Sequence, residues 1–279
     1  MKTKRNKRIL SLVLFLAVMV GTMISCGREE QEPDISVTGS YLASFTGSVT
    51  VDGTEKQTVA YLLLNCISDG SAELYVSSLT DGVYGGAHYT GSWQAGENSE
   101  GDDILSFTYA YGESEGQTAT VTDAVLLDGA FSAKDLYVSD TVPSAALTFY
   151  EMAPAVLEGT SYIGYLSKSV SMGTFVYGYV VNLKDDGTFT ASVLQNTPFG
   201  AAIKGQENGT YTLSGTEITL VYDVLDDADG DGLVESVLEG GEGYTSSLTD
   251  YSETGFTGGI YIGQVSMAVS PAQFIRITK

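Results

Sequence analysis

The chain has 279 residues, with 13 Lys+Arg against 35 Asp+Glu, one His, two Cys, five Pro and 33 Gly. At roughly 150 residues per domain this allows one large domain or two ordinary ones, and a hydrophobic share of 43% excludes a disordered chain. A pI near 4.1 leaves no basic face to neutralise phosphates and so excludes nucleic acid as a partner. Two Cys cannot build a disulfide scaffold, and one His removes most His-based metal and triad chemistry.

Lys2, Lys4, Arg5, Lys7 and Arg8 precede an apolar stretch, Ile9 to Val20, and then Gly21-Thr22-Met23-Ile24-Ser25-Cys26. A basic start, a short apolar run and small residues before a cut site make a secretory signal. About 12 strongly apolar residues fall short of the ~20 that span a bilayer comfortably. Met23-Ile24-Ser25-Cys26 resembles the lipobox of a lipoprotein signal, departing from it at Met23, where Leu is usual. The resemblance implies a signal peptide over residues 1–25, cleavage before Cys26 and a lipid such as palmitate on its thiol. It also implies a cell-envelope address at the outer membrane, facing the surface or the periplasm, with the membrane as a partner through the anchor. Cleavage removes five basic residues and no acid, leaving 8 Lys+Arg against 35 Asp+Glu, a net charge of −27. That charge favours solubility and repels anionic partners. Residues 26–36, which include Glu29, Glu30, Glu32 and Asp34, read as a solvated acidic tether.

Beyond the tether the apolar period is two. Phe175, Tyr177, Tyr179, Val181 and Leu183 alternate with Val176, Gly178, Val180 and Asn182; Ile218, Leu220 and Tyr222 alternate with Glu217, Thr219 and Val221; Leu105, Phe107, Tyr109 and Tyr111 alternate with Ile104, Ser106, Thr108 and Ala110. One large face and one smaller or polar face is the pattern of a half-buried antiparallel strand. Asp-Gly pairs at 52–53, 69–70, 81–82, 128–129 and 186–187 punctuate these runs as hairpin turns.

The body is written twice. Gly39-Ser40-Tyr41 matches Gly159-Thr160-Ser161-Tyr162, and Tyr61-Leu62-Leu63-Leu64 matches Tyr179-Val180-Val181-Asn182-Leu183. Gly91-Ser92-Trp93 matches Gly209-Thr210-Tyr211, and each half closes on a strand, Ala145–Tyr150 and Gln273–Thr278. Repeats over residues 37–153 and 154–279 follow, with the boundary at Ala153-Pro154-Ala155. Each repeat has room for seven or eight strands, which predicts an all-β chain of two tandem antiparallel β-barrels, with a tandem β-sandwich as the alternative. Gly47-Ser48-Val49-Thr50-Val51-Asp52-Gly53 and Asn208-Gly209-Thr210-Tyr211-Thr212-Leu213-Ser214-Gly215-Thr216-Glu217-Ile218 resemble lipocalin-like (calycin-type) barrel domains of bacterial envelope lipoproteins. What that implies is an eight-stranded barrel holding side chains or one small ligand.

Asp227-Ala228-Asp229-Gly230-Asp231-Gly232-Leu233-Val234-Glu235 has the spacing of a calcium loop. Carboxylates of Asp227, Asp229 and Asp231, the Leu233 carbonyl and Glu235 would surround a structural Ca2+. The twelfth position is Leu238 rather than Glu, so Glu239 or Glu242 would complete the shell; a solvated acidic hairpin loop is the plain alternative. His88 is expected to face solvent, opposite Tyr89 and Trp93. Cys66, on the face of Leu62 and Leu64, is expected in the core; with Cys26 lipidated it has no intrachain partner. A ligand site, if present, falls to Tyr109, Tyr111, Tyr177, Tyr179 and Tyr222 on the large-residue faces. The leading expectation is a monomeric, non-enzymatic binding module for a small or polar ligand or a surface protein. A pilin-like structural or adhesive subunit is the second expectation, and a hydrolase the third.

Overall fold

Sixteen strands follow one another without a helix among the described residues of the computed structural model. These are residues 38–97, 103–110, 118–127, 129–136, 145–171, 173–197, 200–223, 244–258 and 272–279. The first eight are β1 (Gly39–Val51), β2 (Thr54–Cys66), β3 (Ser71–Thr80), β4 (Val83–Glu97), β5 (Asp103–Ala110), β6 (Thr118–Leu127), β7 (Ala130–Leu136) and β8 (Ala145–Met152). The second eight are β9 (Thr160–Val170), β10 (Gly173–Leu183), β11 (Thr188–Thr197), β12 (Gly200–Ser214), β13 (Glu217–Tyr222), β14 (Tyr244–Ser252), β15 (Gly255–Gly258) and β16 (Ala272–Arg276).

Each set of eight pairs in sequence order and closes on itself, so the fold is two tandem antiparallel barrels and not the alternative sandwich. Barrel 1 closes where Ser40–Leu42 pair with Tyr150–Met152, and barrel 2 where Phe274–Arg276 pair with Tyr162–Gly164. Closure removes free sheet edges, the one feature of a β-protein that invites further strands. Among the described residues β6 and β7 pair at Leu126–Phe131 and Leu127–Ala130, and β14 and β15 at Thr249–Thr257 and Ser252–Gly255.

The duplication is visible atom by atom at the turns. Asp69 Oδ1 accepts hydrogen bonds from the Ser71 amide and hydroxyl, at 2.8 and 2.6 Å, and Asp186 Oδ1 does the same for Thr188, at 2.9 and 2.6 Å. Across each turn a ring donates to the backbone: Trp93 Nε1 to the Ile67 carbonyl and the Tyr211 hydroxyl to the Lys184 carbonyl, both at 2.8 Å. Asp52-Gly53 and Asp81-Gly82 turn with both residues at positive φ, a conformation that Asp tolerates and Gly adopts freely.

Barrel 2 packs Tyr162, Tyr179, Val181, Phe189, Tyr222 and Phe274 with their neighbours into one buried cluster inside the barrel. Barrel 1 buries Leu62, Leu64, Leu105, Phe107, Tyr109 and Phe149 inside its own. Cys66 is buried as expected, and burial pushes its thiol up to about 12.

The expectation of one covered face per strand fails for the strands between the barrels. Leu42, Tyr61, Leu63 and Tyr75 from barrel 1 pack against Ile163, Tyr165, Val176, Val180 and Leu194 from barrel 2. Both faces of these strands are therefore buried, which explains the unbroken run Leu62-Leu63-Leu64. Gly178 lets the walls touch, since a Cβ there would lie 2.2 Å from Leu42 Cδ2.

The paired registers also correct the alignment of the two repeats by one residue. Leu62 pairs with Val76 as Tyr179 pairs with Val193, so Tyr179 corresponds to Leu62 and not to Tyr61. A one-residue slip changes the face. Tyr61 points outward into the contact between barrels, whereas Tyr179 points into barrel 2.

Candidate functional site

The inward row of β12 reads Gly205, Glu207, Gly209, and Glu207 is the chemical anomaly of the molecule. It is 3% exposed, the one acidic or basic residue among the buried polar side chains of the described residues. The Tyr179 hydroxyl, from β10, donates to its Oε2, and Tyr179 is in turn hydrogen-bonded to Tyr222 of β13. Oε1 has no hydrogen-bond partner among the described residues. Burial pushes the Glu207 carboxyl up to about 8, with the Tyr179 hydrogen bond acting in the opposite sense, so the group is protonated at neutral pH. Burial and the neighbouring Glu207 hold the Tyr179 phenol far above its ordinary range as well.

Ser246 adds a second orphan to the same interior. It is 2% exposed, lies on the inward row of β14 with Leu248, and its Oγ has no partner among the described residues. Orphaned buried polar atoms are rare in folded proteins because each costs about 1–3 kcal/mol. Both lie inside barrel 2, Ser246 level with Leu220 and Tyr211 and so two inward steps along the strands from Glu207. Aromatic rings surround them: Tyr222 meets Phe189 edge-on at 5.2 Å, and Tyr179 meets Phe274 edge-on at 6.0 Å.

Toward the end where β9 joins β10 and β11 joins β12, this interior grows more open. On the inward row of β10, Leu183, Val181 and Tyr179 are buried, whereas Tyr177 and Phe175 are half-buried and stack at 6.5 Å. Gly205, one inward step from Glu207 in the same direction, contributes no side chain to the wall.

Barrel 1 supplies an internal control. By register Tyr89 occupies the place of Glu207, Tyr109 that of Tyr222, and Leu62 that of Tyr179. Tyr89 and Tyr109 pack on one another, with centroids 5.5 Å apart. By contrast, a purely structural polar pair is kept in both repeats. Ser40 Oγ donates to Asn65 Oδ1 at 2.8 Å, and Ser161 Oγ to Asn182 Oδ1 at 2.6 Å. The carboxyl group is thus particular to the second repeat.

Of the tyrosines singled out in the sequence, Tyr179 and Tyr222 meet at this site and Tyr177 stands above it. Tyr109 lies in the other barrel, and Tyr111 lies outside the described residues. Glu207 was missed, because its neighbours Gln206 and Asn208 disguise an inward position as part of a polar run; the flanking glycines at 205 and 209 were the available signal. Cys26 and Asp227–Glu235 fall outside the described residues, and among those described no three His, Cys, Asp or Glu side chains converge on a point.

His88 departs from its expected exposure. It is half-buried on the outer face of barrel 1, stacked on Tyr75 at 4.3 Å, with Nε2 3.7 Å from Glu73 Oε1. Tyr75 donates to the other oxygen of Glu73 at 2.9 Å, and stacking on a residue of the barrel–barrel contact is what covers the imidazole. Two clefts of about 500 and 540 Å³ open outside the barrels, one beside Arg276–Lys279 and one beside Pro154–Leu157. Neither includes a charged side chain that is buried. No protein-family model matches this chain, and no curated protein matches it.

Proposed function

We propose that this chain is a non-enzymatic, lipid-anchored binding protein of the cell envelope whose second barrel takes up a small ligand. The observation that carries the reading is the buried Glu207 with an unpaired oxygen, present in one barrel and replaced by packed aromatics in the other. Ligand sites combine apolar walls with a few convergent polar groups, and the interior around Glu207, Tyr179, Tyr222 and Ser246 has that composition. The lipocalin-like resemblance read from the turns agrees with such a use. Closed barrels favour this reading over a pilin-like subunit, which needs an open groove or a donated strand.

A thermal-shift screen of the full chain against neutral, cationic and anionic small molecules, followed by native mass spectrometry of the hits, tests the reading. At least one class is expected to raise the melting temperature of the wild type and not of Glu207→Leu. No stabilising class at millimolar concentration would overturn it. The anchor rests on Cys26: labelled palmitate is expected in the wild type and not in Cys26→Ser, with the wild type in the outer-membrane fraction. Sedimentation is expected to give a monomer; a ladder of oligomers would favour the structural subunit. A structural Ca2+ on Asp227, Asp229, Asp231, Leu233 and Glu235 is expected to give heat on titration, and no heat would remove it.

A further inference from the structure

We infer that the ligand of barrel 2 is a small organic cation, a primary ammonium group that pairs with Glu207 Oε1 within the aromatic interior. The inference rests on the binding reading above and narrows its chemistry.

Three observations converge on a cation. First, the unpartnered Glu207 atom is a carboxyl oxygen, buried on the interior wall of barrel 2. An ammonium group has three donors and no acceptor, so it satisfies that oxygen and still has protons for the face of a ring. Second, the rings of Tyr179, Tyr222, Phe189 and Phe274 enclose the wall, and the half-buried pair Phe175 and Tyr177 stands toward its more open end. Aromatic faces attract cations by up to about 2 kcal/mol where water is excluded. Third, the charge of the chain selects the same sign. The chain carries 35 Asp+Glu against 13 Lys+Arg, a formal net charge of −22. A field of that sign raises the local concentration of cations and repels anions.

Among the described residues no Lys or Arg pairs with Glu207. Among those residues Glu207 is faced by Tyr179 from β10 and Tyr222 from β13, while β11 contributes Ala191 and Val193. Lys168, on the row of β9 that holds Tyr162, is exposed beside Phe175. Lys204, on β12 itself, is paired outside with Glu151 at 2.6 Å.

Pairing with an ammonium group requires the Glu207 carboxylate, so the proton it holds at neutral pH must leave as the ligand enters. Binding is thereby coupled to release of close to one proton per ligand at pH 7, a signature that a neutral ligand does not give.

The test is calorimetric titration of the full chain, purified in detergent, with phenethylammonium, with 2-phenylethanol as its uncharged counterpart and with 3-phenylpropionate as the anion. Phenethylammonium is expected to bind about tenfold or more tighter than the alcohol, with no binding of the anion. Repeating the titration in buffers of different ionisation enthalpy is expected to show the released proton. Glu207→Gln, which keeps the shape and an acceptor for Tyr179, is expected to abolish both the preference and the proton release. Tyr179→Phe is expected to weaken the amine while keeping the proton signature, and serves if Glu207→Gln does not fold. Equal or tighter binding of the alcohol, or amine binding without proton release, would overturn the cation and leave the binding reading standing. Silence from all three probes, with silence from the broader thermal-shift screen, would overturn both.

Discussion

Replacing Glu207 by glutamine should change how the stability of the protein depends on pH. In the unfolded chain the carboxyl ionises near its ordinary 4.5, whereas in the barrel burial holds it near 8. Between those values the folded protein keeps a proton that the unfolded chain has lost, so stability falls by about 1.4 kcal/mol for each unit that pH rises. The loss begins near pH 4.5, is complete near pH 8, and amounts to about 5 kcal/mol in total on the full difference. The amide of the variant carries no such proton, and every other titrating group is common to both proteins. The free-energy gap in favour of Glu207→Gln is therefore expected to widen by about 3 kcal/mol between pH 5.5 and 7.5. Urea melts of the two proteins at half-unit intervals of pH measure it. Parallel curves across that window would show that the carboxyl ionises normally and would refute the burial argument.

Asn182→Leu should cost about 2–4 kcal/mol in a denaturant melt, since it strands the Ser161 hydroxyl and the Val156 carbonyl that Asn182 now satisfies at 2.6 and 2.9 Å. The matching Asn65→Leu should cost less, because Asn65 is only half-buried. Gly209→Ala is expected to be more damaging than Gly178→Ala. The new methyl would sit 2.0 Å from the Val221 carbonyl oxygen in the first case, a backbone atom that cannot retreat, and against the movable tip of Leu42 in the second. Differential scanning calorimetry should rank the two in that order, with Gly178→Ala in the ordinary overpacking range of about 1–3 kcal/mol. Tyr211→Phe and Trp93→Phe each delete one hydrogen bond across a repeated turn and should each cost about 1 kcal/mol. Unequal costs would indicate that the two turns have diverged in energy as well as in sequence.

The fold was legible because its determinants are local. Period-two alternation fixed strands such as Glu217–Tyr222, and Asp-Gly pairs at 52–53 and 81–82 fixed the hairpins. The Gly91-Ser92-Trp93 and Gly209-Thr210-Tyr211 matches led to the duplication now seen as a repeated turn with a repeated ring across it. What remained hidden is non-local. Val176 and Val180 looked like a minor face of their strand because nothing in the chain's order announces that barrel 1 will lie against them. His88 is covered for the same reason, by stacking on Tyr75 from the neighbouring strand. Glu207 is the sharpest case. One acid among 35 carries no signal by type, and its place depends on a one-residue register that only strand pairing resolves.

The most direct measurement is the titration of the Glu207 side-chain carboxyl carbon by NMR, in protein labelled at glutamate and assigned by comparison with Glu207→Gln. The resonance is expected to move with a midpoint near pH 8 in the free protein and to shift to lower pH when phenethylammonium is added. A midpoint in the ordinary carboxyl range, unaltered by the amine, would contradict the account of a buried and unpaired acid awaiting a cation.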